Sequence, residues 1–171
     1  MNYLLKHKEQ ISNIKSKKSL LLHVCCGVCS VYPLLYLRKY FNITIYFSNS
    51  NIYPYEEYLK RLDALNKYLE HLNDNTIKLI VPSYNNDDFT KDLTPYKDLP
   101  EGQKRCYICY KKRMEEAYIF ANNNHFDYFT TVMSIYKLRG FRVSVSACCM
   151  IPPYFCALLE KMLISISPLV L

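Results

Sequence analysis

Cys25 and Cys26 stand side by side, Cys29 follows three residues on, and Cys106 and Cys109 repeat that last spacing far along a chain of 171 residues with eight cysteines. Thiolates are soft donors, so sulfurs gathered from two distant segments can hold zinc or an iron–sulfur cluster. The first group ends the apolar run Leu20-Leu21-Leu22-His23-Val24 and the second opens a helical pattern. Both therefore sit at strand-to-helix corners, where a fold can bring them together.

Spacing alone leaves the chemistry open. Cys26-Gly27-Val28-Cys29 with Cys106-Tyr107-Ile108-Cys109 makes two C-x-x-C units, the spacing of a structural zinc site. Zinc pairs of that kind normally sit in short hairpins of domains with little core, whereas each pair here opens a helix in a chain that is 50% hydrophobic. In the second reading, Cys25, Cys26, Cys106 and Cys109 are four ligands of a 4Fe-4S cluster. Adjacent side chains at a tight corner can converge, and positions i and i+3 share a helix face. A helix N-terminus there lowers thiolate pKa and offers N–H donors to an anionic cluster. Cys29 is then spare, free to act on a substrate or to bind an additional metal ion. A third reading, a thioredoxin-like pair at Cys26 and Cys29, leaves Cys106 and Cys109 unexplained. The balance leans only slightly toward iron.

Other groups near these cysteines carry two readings each. Lys104, Arg105, Lys111, Lys112 and Arg113 form either a solvated helix face with Glu115 and Glu116, the commoner fate, or a cationic rim for a cluster or for nucleic-acid phosphates. Tyr107 and Tyr110 are placed to stack on a base. His23 reads as a satisfied core histidine. Asn49 and Asn51 either cap the next helix or line the cleft, and Tyr53, Tyr55 and Tyr58 are most simply packing residues.

The elements that must position these residues alternate. Leu20–Val24, Ile43–Phe47, Ile77–Val81 and Tyr128–Met133 read as strands, and Cys29–Tyr40, Tyr55–Leu72 and Arg105–Asn122 as helices. Ser83–Lys104 is polar and without periodicity, which predicts a long loop. Strand–helix alternation predicts one layered α/β domain with a mainly parallel sheet and right-handed crossovers. Ligands in such sheets bind at the carboxyl ends of the strands, where Cys25 and Cys26 fall and which the Cys106 segment can reach.

Lys and Arg total 22 against 15 Asp and Glu, a net charge of +7 that favours a polyanionic partner, nucleic acid first. The amino-terminal residues lack a secretory pattern and no clean apolar run spans a bilayer, which predicts a cytoplasmic protein without a membrane partner. In that compartment grouped cysteines read as metal or redox chemistry, not as a disulfide framework.

Several blocks, in order, resemble the QueH-type epoxyqueuosine reductases. They are Leu22 through Cys29, Tyr46-Phe47-Ser48-Asn49-Ser50-Asn51-Ile52, Glu57-Tyr58 with Arg61, Glu101-Gly102 with Arg105, Cys106 and Cys109, and Phe126 through Thr131. The resemblance implies a Rossmann-like domain of the adenine nucleotide alpha hydrolase-like kind. It implies reduction of epoxyqueuosine to queuosine at the wobble position of tRNA, electrons from an unidentified donor, and a 4Fe-4S cluster on Cys25, Cys26, Cys106 and Cys109. An additional iron ion and a role for Cys29 in catalysis are further expectations. The competing class is a non-catalytic four-cysteine zinc module that contacts RNA or protein.

The family usually has Pro and His where this chain has Ser50 and Tyr53. A larger departure follows Lys137. Residues 138–171 contain no Asn or Asp, one Lys and one Glu, and hold Cys148 and Cys149 adjacent where the family has a closely spaced redox-active pair. The expectation is an iron–sulfur catalytic domain over 1–137 and an atypical tail over 138–171, the product of a shifted reading frame or of decay.

Overall fold

The computed structural model describes residues 16–135. Strands β1 (Lys18–His23), β2 (Phe41–Tyr46), β3 (Lys78–Ile80) and β4 (Tyr128–Thr131) form one sheet in the order β3-β2-β1-β4, and every pairing is parallel. Helices α1 (Gly27–Leu37), α2 (Tyr55–Leu72), α3 (Asn86–Thr90) and α4 (Lys104–Asn123) connect them. This is the expected α/β layered domain, consistent with a Rossmann-like sheet.

Alternation along the strands builds two cores. Leu20, Leu22 and Val24 of the first segment, with Phe41, Ile43, Ile45 and Phe47 of the second, face Leu34 and Leu37 of α1 and Tyr58 and Leu65 of α2. Leu21, Tyr46 and Phe129 point the other way, onto Met114, Ala117, Tyr118 and Ala121 of α4. A sheet covered on both faces requires apolar residues at successive positions, which is why β1 reads as a continuous hydrophobic run.

The helix ends follow local chemistry. Glu56 and Glu57 occupy the first turn of α2, Glu57 pairs with Arg61 at 2.7 Å one turn on, and Asn73 closes the helix in the left-handed conformation at φ 47°. The polar stretch after β3 is more ordered than its sequence predicts. The Asn85 side chain accepts from the Asp88 N–H at 3.1 Å to start α3, and a 3-10 helix follows over Lys91–Tyr96. Its anchor is one buried aromatic, Phe89, and a helix of five residues is too short to display a period. β4 also ends earlier than predicted: the Thr131 hydroxyl accepts from the Met133 N–H at 3.1 Å and the chain turns into a 3-10 helix over Val132–Ile135.

The chain runs β1, β2, β3 to one side and then crosses back to put β4 on the other side of β1. The carboxyl ends of β1 and β4 therefore flank the switch point where such sheets bind ligands. α4, whose first turns carry Cys106 and Cys109, precedes β4 in this parallel sheet and so begins on the side of its carboxyl ends. Among the described residues, no helix is long and apolar enough to cross a membrane. The tail over 138–171 lies outside the described residues.

Candidate metal centre

The corner after β1 is made by backbone pairing that continues past the strand. The Val24 N–H donates to the Tyr46 carbonyl at 3.0 Å, and Cys26 then adopts an extended conformation as the N-cap of α1. No side chain caps this helix end, so neither thiol is consumed by the helix start. The amides of the first turn carry the positive end of the helix dipole, which favours thiolate nearby.

Three sulfurs meet here. The Sγ atoms of Cys25, Cys26 and Cys29 all lie within 4.8 Å of one another, with Cys26 to Cys29 at 2.9 Å and Cys25 to Cys26 at 3.9 Å. Burial pushes the Cys25 and Cys29 thiols up, and Cys26 pushes both further in the same direction. Three sulfurs this close repel one another as thiolates unless a cation sits among them. As a donor set the group fits a soft metal centre.

Cys106 and Cys109 lie in the first turns of α4, both partly buried. The Gly102 N–H donates to Cys106 Sγ at 3.3 Å, from a glycine at φ 84° that few other residues would adopt. Burial raises the Cys109 thiol, and Arg113, one turn further along the same face, lowers it. Arg113 acts on Cys25 in the same way. One guanidinium thus lies within electrostatic reach of a cysteine from each segment.

Arg113 departs from the expected solvated helix face. It is 5% exposed, and its Nη2 donates to Asn49 Oδ1 at 2.5 Å and lies 3.4 Å from His23 Nε2. Asn49 in turn donates from Nδ2 to the Val24 carbonyl at 2.9 Å, immediately before Cys25. It neither caps α2, whose N-cap is Pro54, nor stands open to solvent. His23 is the satisfied core histidine expected, fully buried, with Nδ1 2.9 Å from the Thr131 hydroxyl and Nε2 3.3 Å from the Ser48 carbonyl. Burial and the Arg113 charge hold its pKa well below the usual histidine value. Among the described residues, Arg113 Nε and Asn51 Oδ1 are buried side-chain polar atoms without a hydrogen-bond partner.

The remaining cations of this helix are engaged within the fold. Lys104 Nζ stands 4.6 Å from the centre of the Tyr96 ring, Arg105 donates to the Lys97 carbonyl at 2.8 Å, and Lys111 pairs with Glu115 at 3.5 Å. Lys112 reaches Asp92 at 2.8 Å and the Phe89 carbonyl at 3.0 Å. These contacts fasten the 3-10 segment to α4. Of the aromatic residues, Tyr55, Tyr58 and Tyr84 form a mutually packed cluster with ring centres 4.6 to 5.7 Å apart, while Tyr53 is 79% exposed.

Of the two readings of this charge run, the solvated face holds for its other members, and the burial of Arg113 was not foreseen by either. A signal was present: Arg113 falls four residues after Cys109 and seven after Cys106, in line with both on one helix face, whereas Lys112 lies to the side of that line and Lys111 across the helix.

A parallel sheet with three clustered thiols at its switch point and a buried cation nearby defines an α/β protein with a cysteine site. The family model described as epoxyqueuosine reductase QueH matches residues 20–149. The chain belongs to that family. It is 34% identical over 122 residues to the epoxyqueuosine reductase QueH of Streptococcus pyogenes serotype M1, covering 70% of this chain and 48% of that protein. It is 35% identical over 124 residues to the corresponding protein of Staphylococcus aureus, covering 70% and 52%, and 30% identical over 118 residues to that of Dehalococcoides mccartyi, covering 68% and 60%. The chain therefore spans about half the length of most of the curated relatives it matches. The matched range extends past Lys137, where the resemblance in sequence was expected to end.

Proposed function

We propose that this chain reduces epoxyqueuosine in tRNA to queuosine, with a 4Fe-4S cluster held by Cys25, Cys26, Cys106 and Cys109. The observation that carries this reading is the convergence of the Cys25, Cys26 and Cys29 sulfurs at the sheet's switch point in a chain of the QueH family. The substrate is a nucleoside within a polyanion, which suits a chain of net charge +7. On this reading the domain over 1–137 carries the chemistry, the tail over 138–171 is atypical although the family match runs to residue 149, and the protein works in the cytoplasm with electrons from an unidentified donor.

Removing the oxygen of an epoxide consumes two electrons and two protons, releases water and leaves a double bond between the two carbons. Cys25, Cys26, Cys106 and Cys109 would hold a cluster able to supply electrons, and an additional iron ion would supply an electrophile for the oxygen. The protein's own groups do the rest. The α1 amides and Arg113 favour the thiolate forms of the ligands, and partial burial of all five cysteines limits the access of water. Cys29 lies within the same sulfur group as Cys25 and Cys26, where its thiol would act on the substrate or bind the additional iron.

Anaerobic purification tests the cofactor. A brown protein with iron–sulfur charge-transfer absorbance supports the reading, and a colourless one with stoichiometric zinc replaces it by the zinc module. Incubation with epoxyqueuosine-containing tRNA and a chemical reductant tests the activity, and its failure with a loaded cluster sinks the enzymatic reading alone.

A further inference from the structure

We infer that Arg113 is a positioning residue that supplies the resident counter-charge of the cysteine centre and fastens its two cysteine segments together. The inference rests on the iron–sulfur reading and names a residue outside the proposed ligand set.

A guanidinium keeps its charge when buried, so it needs a compensating anion or a full set of acceptors. Among the described residues Arg113 has neither in its hydrogen bonds. Its partners are the Asn49 side-chain oxygen and the His23 ring nitrogen, and neither residue is an acid. Its Nε has no partner among the described residues. No carboxylate among them forms an ion pair with it; Glu116, the nearest acid by its effect, is instead bonded to the Tyr46 hydroxyl at 3.2 Å.

Cys109, one turn before it on α4, and Cys25, on the other segment, are the two groups whose charge acts on Arg113 most strongly, ahead of Tyr110 and Glu116. Metal-bound cysteines are thiolates, so a centre held by Cys25 and Cys109 would place negative charge beside this guanidinium. An exposure of 5% leaves little of Arg113 for contact with a tRNA phosphate.

The same side chain also sets geometry. It leaves α4 one turn after Cys109, holds Asn49, and through Asn49 holds the Val24 carbonyl that directly precedes Cys25. A cluster spanning the two segments would thus be bracketed by a three-residue tie. A positive charge fixed beside an anionic cluster favours its reduced, more negative state and raises its potential.

The test uses the full chain purified anaerobically as wild type, Arg113→Lys and Arg113→Gln, and reads iron per chain, thermal midpoint and cluster reduction potential. Lysine keeps the charge, whereas glutamine keeps a donor for Asn49 and removes the charge. The expected result is a near-wild-type potential in Arg113→Lys and a lower potential, or loss of iron from a folded chain, in Arg113→Gln. Wild-type iron content and potential in Arg113→Gln would overturn the inference, as would equal shifts in both variants. Should Arg113→Gln fail to fold, Arg113→Lys decides alone: a displaced potential there overturns the inference and a wild-type one supports it. A wild-type chain that holds no iron–sulfur cluster would instead sink the cofactor reading on which the inference rests.

Discussion

Gly27 and Ala64 bring α1 and α2 into backbone contact beside the cysteine corner: a Cβ added to Gly27 would stand 2.8 Å from the Ala64 carbonyl oxygen and 3.1 Å from the Leu65 N. The obstructing atoms belong to the interior of a long helix and cannot turn aside. Alanine is the better helix former by roughly 1 kcal/mol, but overpacking of this kind costs about 1–3 kcal/mol. Gly27→Ala is therefore expected to lower the chemical-denaturation midpoint and, by displacing the start of α1, to reduce metal content. An unchanged midpoint would show that the two helices separate freely at this point.

Single substitutions separate ligands from neighbours at the cysteine centre. Alanine in place of Cys25, Cys26, Cys106 or Cys109 should each abolish the charge-transfer absorbance, because four-thiolate ligation has no redundancy. Cys29→Ala should retain about four irons per chain while losing activity on tRNA. Full iron content in Cys106→Ala, with loss in Cys29→Ala, would move the fourth ligand to Cys29, whose sulfur stands 2.9 Å from that of Cys26.

The opposite edge of the sheet offers a control. Asp127, just before β4, accepts from the Ser19 N–H at 2.9 Å and from the Ser19 hydroxyl at 2.7 Å, joining the amino ends of β4 and β1. These bonds hold its carboxyl below the usual aspartate range. The site is partly exposed, so Asp127→Ala should cost only roughly 1 kcal/mol, read as a lower denaturation midpoint. Metal content should stay at the wild-type level; its loss would mean that sheet register, and not the local corner, governs the centre.

The strands and long helices were legible in sequence because each shows a period: the α2 pattern at Tyr58, Leu62, Leu65 and Leu69 matches the helix observed over Tyr55–Leu72. The meeting of Cys25, Cys26 and Cys29 at the end of β1 was legible from their spacing at a strand-to-helix corner. Two features were not legible. The segment over 86–96 folds through an Asn85 cap and one buried phenylalanine, and neither makes a period. Asn49 and Arg113 meet across elements 64 residues apart, and single-residue types say nothing of such a pairing. Charge runs read as solvated by default, and Arg113 is the member of its run that the sheet buries.

Acid should loosen the fold through His23 before it reaches the carboxylates. The buried imidazole is held well below 6.5 by desolvation first and by Arg113 second, with the Ser48 carbonyl opposing. In the unfolded chain it would titrate near its ordinary value of about 6.5. Between the folded and unfolded values the unfolded state binds more protons, so stability rises with pH in that window, is full above about 6.5, and is lost as pH falls below it. Asp74, Asp88 and Asp127, whose carboxyls are depressed, contribute stability that is lost only as pH falls through and below the ordinary carboxylate range. Denaturation midpoints measured from about pH 7 to about pH 5 should therefore decline in the wild type. His23→Asn keeps a polar group in the cavity without a titrating proton, so its curve should be lower throughout and flatter over that interval. Parallel slopes for the two proteins would assign the acid sensitivity to other groups.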